Sequence, residues 1–277
     1  MKDVNLSKRM EAVVSMISPQ SFAIADVEDN GDAVQAVYDK QTSLTIADVG
    51  CDHAYVSIAL VKRNIANNVI AMDVRTGPLD IARRNVAESG LANKIDIRLG
   101  DGLEKLVPGE ADAIIIAGMG GLLIKGILER GVDVLFYREK RPVLILQPQS
   151  NLKEVRMFLH SHAYHIVCEA MLVEDGKYYT VMKAVPVDTE CLHRGSFTEE
   201  YSEEEWEYGK YNLVNKNEIL WDYLQNERDV LTRIKTKVSN ALLTDGEGSS
   251  SSTAQRLETV KHELEINKKA HRYYKGE

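Results

Sequence analysis

The chain has 277 residues, 44% hydrophobic and 27% charged, with a net charge of −8 and three cysteines. That is enough for one sizeable core and a smaller appendage. No apolar run approaches the roughly 18 residues of a membrane span, and Met1-Lys-Asp-Val-Asn-Leu does not read as a signal segment. Cys51, Cys168 and Cys191 are too scattered for a disulfide framework or a zinc ribbon. A monomeric cytoplasmic protein without membrane attachment or bound metal is expected. With so acidic a surface, any nucleic-acid partner must be met by a local basic patch.

Residues 6–17 read as an amphipathic helix, with Leu6, Met10, Val13, Val14 and Ile17 on one side and Lys8 and Arg9 on the other. Residues 19–43 contain an apolar stretch (22–25), a turn (28–32) and a short helical stretch (33–39). From Leu44 the order is regular. Strands are predicted over 44–49, 68–73, 95–99, 111–117 and 142–147, alternating with helices over 54–63, 78–89, 121–129 and 151–162. Pro78 suits a first helical position and Gly90 a stop. Two last strands, 165–173 and 177–185, flank the turn signal Glu174-Asp-Gly-Lys177. Residues 186–198 read as a polar linker. Beyond them Leu213, Leu220, Leu224, Leu231, Ile234 and Val238 fall on a 3/4 spacing, interrupted by Asn217 and Glu227, and Leu257, Val260 and Leu264 begin a second stripe. A Gly/Ser-rich loop over 244–253 separates the two stripes. The fold class is therefore α/β, with a doubly wound Rossmann-like sheet over residues 1–186. Its closing hairpin matches the class I methyltransferase sheet, and a helical coiled-coil domain follows over 199–277.

The strand 45–49 runs into Gly50-Cys-Asp-His-Ala-Tyr55. A dinucleotide fingerprint wants G-x-G-x-x-G, but Asp52 and Tyr55 replace its second and third glycines. A pyrophosphate would be crowded by the backbone and repelled by Asp52. S-adenosylmethionine carries a sulfonium and an ammonium and no phosphate, so Asp48 and Asp52 favour it over NAD. The bland alternative is that both acids cap the next helix. Cys51 fills the turn and is not a nucleophile. Asp73, ending the second strand, is placed to accept both ribose hydroxyls. Asp101, in Gly100-Asp-Gly102, is placed for an adenine amino group. Ala117-Gly-Met-Gly-Gly121 leaves room for a flat substrate beside Gly118, and Gln147-Pro-Gln-Ser-Asn151 forms a polar mouth at the sheet edge. His160, His162 and His165 lack the ligand spacing of a metal site and read as surface histidines.

These segments resemble the bacterial tRNA (adenine-22-N1)-methyltransferases. The likeness is carried by Leu6-Ser-Lys-Arg-Met-Glu-Ala, Ala47-Asp-Val-Gly-Cys-Asp-His-Ala-Tyr55, Asp112-Ala-Ile-Ile-Ile-Ala-Gly-Met-Gly-Gly121, Leu146-Gln-Pro-Gln, Glu174-Asp-Gly-Lys-Tyr-Tyr and Tyr208-Gly-Lys-Tyr211. The resemblance implies methyl transfer from S-adenosylmethionine to adenine N1 of a tRNA, with a C-terminal coiled coil helping to hold the tRNA. It implies a cofactor site of Asp48, Gly50, Cys51, Asp52, Asp73, Asp101, Gly102 and Gly118, with Asp52, His53, Met119 and Gln147 near the reacting base. Lys8, Arg9, Lys62, Arg63, Arg83, Arg84, Lys235, Lys237, Lys268, Lys269 and Arg272 are expected phosphate contacts, and Tyr273 and Tyr274 could stack on bases. Residues 20–42 look like an insertion relative to the family. At the level of sequence, a different RNA position, a small-molecule acceptor or a non-catalytic RNA-binding role stay open.

Overall fold

The computed structural model describes residues 5–17, 43–137, 140–187, 200–244 and 251–275. The expected insertion at 20–42, most of the 186–198 linker with Cys191, and residues 245–250 of the Gly/Ser-rich loop lie outside them. The chain divides into two compact units, Met1–Thr198 and Glu199–Glu277.

The first unit is built on seven strands: β1 (Thr45–Val49), β2 (Asn68–Asp73), β3 (Ile95–Leu99), β4 (Ala113–Met119), β5 (Val143–Pro148), β6 (Tyr164–Glu174) and β7 (Lys177–Pro186). They form one sheet in the order β3-β2-β1-β4-β5-β7-β6. The first five are parallel, and the hairpin β6–β7 returns β7 antiparallel beside β5. Parallel strands covered on both faces read as continuous apolar runs. Ile114-Ile-Ile116 and Leu144-Ile-Leu146 are such runs, buried throughout. Covering them are α1 (Lys8–Ser15), α2 (Tyr55–Lys62), α3 (Thr76–Glu88), α4 (Gly121–Arg130), the short α5 (Val132–Leu135) and α6 (Leu152–Ser161).

Two boundaries and one short helix differ from the sequence reading. Helix α3 begins at Thr76, so Pro78 occupies its third position, where a missing N–H is still harmless because the first four have no intrahelical acceptor. Strand β4 lies two residues later than expected. Asp112 lies just before it, its N–H donating to Thr45 O at 2.8 Å while its carboxylate accepts the Thr45 N–H at 2.7 Å and pairs with Lys140 at 2.7 Å. The far end of β4 carries Gly118 and Met119 into the sheet. Helix α5 had no periodic signal, being a single turn started by Gly131.

Helix α1 is capped by Ser7, whose hydroxyl accepts the Met10 N–H, and clasped to α2 through a bidentate Arg63–Glu11 pair at 2.6 and 2.7 Å. Arg156 of α6 and Glu169 of β6 form an ion pair at 2.9 Å, each side chain 1% exposed.

The second unit contains α7 (Glu203–Tyr208), α8 (Lys210–Val214), α9 (Glu218–Thr244) and α10 (Ser251–Lys275). Ser202 and Glu205 form a capping box at the start of α7, and Glu203 and Glu204 add acidic charge to its first turn. Helices α9 and α10 run antiparallel, since Asn267 and Tyr274, late in α10, bond Leu224 in the first two turns of α9 and Asn217 just before it. Leu220, Leu224 and Leu231 are buried, whereas Ile234 and Val238 are only half-buried. Glu227 does not interrupt the helix. Its carboxylate accepts Tyr208, Tyr223 and Asn267 at 2.6, 2.9 and 2.9 Å, a polar layer that fixes the register of the packed helices. Ser251 to Thr253, expected in the loop, open α10.

Candidate active site

Strand order reverses at β1, whose neighbours β2 and β4 have connections leaving in opposite directions. A crevice must then open beyond the carboxyl ends of these strands. The turn after β1 lines it. Gly50, Asp52 and Ala54 alternate through the left-handed region at φ 75°, 49° and 61°, a conformation costing about 1 kcal/mol or more for each non-glycine residue. Ladder-like bonds hold the turn: the Gly50 and Cys51 N–H groups both donate to Met72 O, at 2.8 and 2.9 Å. A Cβ on Gly50 would strike the Met119 methyl, so Met119 leans over this turn from β4.

Three acids gather here. Asp48 is buried at the end of β1, and its carboxylate accepts the Ser57 hydroxyl at 2.5 Å and the Ser57 N–H. It thus caps α2 at a distance while facing the cleft, so the two readings of Asp48 are compatible. Burial pushes its pKa up to about 6, against the pull of Ser57, with the nearby Asp73 charge adding to the rise. Asp73 accepts the Arg75 N–H at 2.9 Å and the Asp52 N–H at 3.3 Å. Asp52 caps nothing in α2, whose N-cap is Ala54; its half-exposed carboxylate lies 3.7 Å from His53 Nε2 and 3.8 Å from Arg75. Burial, then the charges of Asp48, Asp73 and Asp52, drive the Cys51 thiol up, which removes it as a nucleophile.

The opposite wall comes from β4 and β5. Their register shifts between Ala117 and Met119, a bulge centred on Gly118 at φ 77°. The freed Gly118 N–H donates to Gln147 Oε1 at 3.0 Å, and Gln147 is fully buried. Gln147 therefore holds the bulge in place rather than reaching outward. Gly121 is obligatory: a Cβ there would collide with the backbone carbonyls of Ser150 and Asn151.

The cleft brings together Asp48, Gly50, Cys51, Asp52, His53, Gly118 and Gln147. Asp73 adjoins it through Asp52. Met119 contributes from above Gly50 but does not line it. Asp101 and Gly102 lie after β3, where Asp101 is exposed beside Arg130 at 3.4 Å and Gly102 packs on Ile127. Four participants escaped the sequence reading: Ser57, Asn85, which donates to the His53 carbonyl at 2.9 Å, Arg75, and Arg9 as a cleft residue. Ser57 had a signal, as a hydroxyl within the apolar run Tyr55-Val-Ser-Ile-Ala-Leu-Val. The others had none.

Of the basic residues, Arg63 pairs with Glu11, Arg83 with Asp80, Lys268 with Glu265 and Lys269 with Glu203. Tyr273 and Tyr274 donate to Glu205 and to Asn217 O, and Tyr274 packs on Trp221. The histidines at 160–165 are half-buried, and His162 stacks on Phe158 at 4.0 Å. Among the described residues no group of His, Cys, Asp and Glu could hold a metal ion, and no helix is long and apolar enough to cross a membrane.

A sheet of this order, with an acid-lined crevice after a single-glycine turn, defines a class I methyltransferase dependent on S-adenosylmethionine. The family model for tRNA (adenine(22)-N(1))-methyltransferase matches residues 46–269, and the chain belongs to that family. The Bacillus subtilis (strain 168) tRNA (adenine(22)-N(1))-methyltransferase is 38% identical over 195 residues, 70% of this chain and 71% of the relative. A crystal structure of the B. subtilis m1A22 tRNA methyltransferase superposes with a TM-score of 0.75 at 30% identity, covering 97% of this chain and 99% of that one. A Streptococcus pneumoniae structure in complex with S-adenosyl-L-methionine gives a TM-score of 0.70 at 26% identity, over 96% and 99%.

Proposed function

We propose that the residues at the carboxyl edge of this sheet divide the family's reaction, methylation of N1 of adenine 22 in tRNA, into holding the donor and orienting the base. The observation that supports this division is the gathering of Asp48, Asp52 and Asp73 around one glycine turn, opposite the Gly118 bulge. The residues fit the donor: a buried acid and an exposed acid answer its cationic groups, Asp73 has lone pairs left for a ribose diol, and Gly50 admits close approach. S-adenosylmethionine, when bound, supplies an electrophilic methyl group.

Adenine N1 has an in-plane lone pair, so no base need remove a proton before attack. The protein's task is alignment and exclusion of water. The Gln147-held bulge keeps Gly118 and Ala117 flat against an incoming purine, and Met119 covers the glycine turn. Methylation leaves positive charge on the base; Asp52, exposed at the rim, offsets it, and the neighbouring His53 offers a hydrogen bond. Because N1 lies on the pairing edge, the target adenine must leave its stack. Residues 1–186 carry this chemistry in a monomeric, cytoplasmic protein, and the helical unit over 199–277 holds the tRNA.

Labelled methyl transfer to bulk tRNA followed by nucleoside mass spectrometry tests the reaction. N1-methyladenosine is expected, and its loss from a transcript with adenine 22 replaced fixes the position. Label in any other nucleoside would sink the reading. Replacing exposed Lys235, Lys237 and Arg272 with Glu is expected to weaken tRNA capture at unchanged donor affinity; an unaltered gel shift removes the helical unit from that role. Asp73→Asn is expected to lower donor affinity tenfold or more by calorimetry, and unchanged affinity removes the ribose role.

A further inference from the structure

We propose that Gln149 selects adenine at the acceptor site by accepting a hydrogen bond from its exocyclic N6 amine. The proposal rests on the base-methylation reading above and deepens it. Alignment of N1 and the charge left on the product have partners in that reading, but the amine beside N1 has none. Guanine carries a carbonyl oxygen where adenine carries this amine. The edge presented to the methyl donor is therefore also the edge that tells the two purines apart, and a selective site needs an acceptor there.

Gly118 lines the cleft, and its N–H is taken by Gln147 Oε1. Where a Cβ on Gly118 would stand, the space is open: among the described residues beyond its chain neighbours, the one atom within 4 Å is Gln149 Nε2, at 3.9 Å. Gly120, just after β4, faces the Ser150 hydroxyl oxygen at 3.4 Å in the same way. Two positions without side chains thus face two polar tips that follow β5. The Gln149 backbone is fixed, because its N–H donates to Met119 O at 2.9 Å beside the Met119–Pro148 register pair. Its side chain is exposed, and among the described residues no hydrogen bond holds the amide. Such an amide turns end for end at little cost, so it can present its oxygen to a donor. A purine laid on the bare Gly118 surface meets this amide at its edge. The sequence put Gln147 beside the base; the fold uses that amide to hold the bulge, and Gln149 is the one left at the rim.

The test measures kcat/KM of the full-length protein on two transcripts, one with adenine 22 and one with unsubstituted purine at that position. Purine keeps the N1 lone pair and lacks the amine. The readout is the adenine-to-purine ratio compared between proteins, which cancels the difference in intrinsic reactivity of the two bases. Gln149→Leu is expected to shrink that ratio about three- to tenfold, the range of one neutral hydrogen bond. The loss should fall on adenine, with calorimetric affinity for S-adenosylmethionine unchanged. Gln149→Glu keeps an acceptor and is expected to keep the ratio. An unchanged ratio in Gln149→Leu would overturn the proposal, whether both transcripts lose activity together, as for a structural role, or neither does. A ratio lost equally in Gln149→Glu would overturn the acceptor role. A wild type that makes no N1-methyladenosine on the adenine transcript would defeat the reaction assignment itself, which separates the two failures.

Discussion

Replacing Asp48 with Asn should make the free protein more stable and the donor complex weaker. Asp48 is 5% exposed, and its pKa rises from 3.8 to about 6, chiefly through burial. At about 1.4 kcal/mol per pH unit, holding the ionised form in the fold costs about 3 kcal/mol at alkaline pH. Because the folded value exceeds the unfolded one, this cost is nearly absent below pH 4, grows through pH 4–6 and is complete above. An amide at this position keeps acceptor bonds from Ser57 but loses their charge assistance, offsetting about 1 kcal/mol. The net gain is about 2 kcal/mol at pH 8, or about 4–8 °C for a domain of this size, shrinking toward zero near pH 4.5. Scanning calorimetry is the assay, because both tryptophans, Trp206 and Trp221, lie in the helical unit and fluorescence would follow the wrong part. Donor affinity of the wild type should fall as pH drops through 6, as Asp48 takes up a proton, and that dependence should vanish in the variant. A variant less stable than wild type at pH 8, or a difference of equal size at both pH values, would refute the reasoning.

Gly121→Ala should destabilise by about 1–3 kcal/mol or more, since the added carbon meets backbone carbonyls that cannot step aside. Gly126→Ala, inside α4 with only an arginine tip at 3.5 Å, should instead gain about 0.5–1 kcal/mol; urea titration of the pair decides whether space or helix propensity governs α4. Glu169→Ala should cost about 3–5 kcal/mol by breaking its buried pair with Arg156, whereas Arg156→Met with Glu169→Leu should lie much closer to wild type. Equal losses in the single and double variants would show that the pair itself, and not the penalty of a buried charge left unpaired, accounts for the loss.

The strands and helices of the first unit were legible because parallel strands must be apolar on both faces and their helices on one. The glycine turn was legible because an apolar strand runs straight into Gly50 ahead of a helical run. The preference for a cationic donor followed from Asp48 at the end of the strand and from Asp52 in the turn, where a phosphate-binding chain has its second glycine. All of these are local properties, carried by neighbours in the sequence. Tertiary structure decided the remainder, through contacts that spacing does not show: the Ser57 bond that keeps Asp48 in place, Gln147 turned inward to hold the Gly118 amide, Asp101 beside Arg130, and Glu227, a break in the apolar stripe, serving a polar layer. Arg9 shows the reason most directly. Spacing along a helix says which residues share a face, but only packing against β6 and β7 determines whether that face meets water or a cleft.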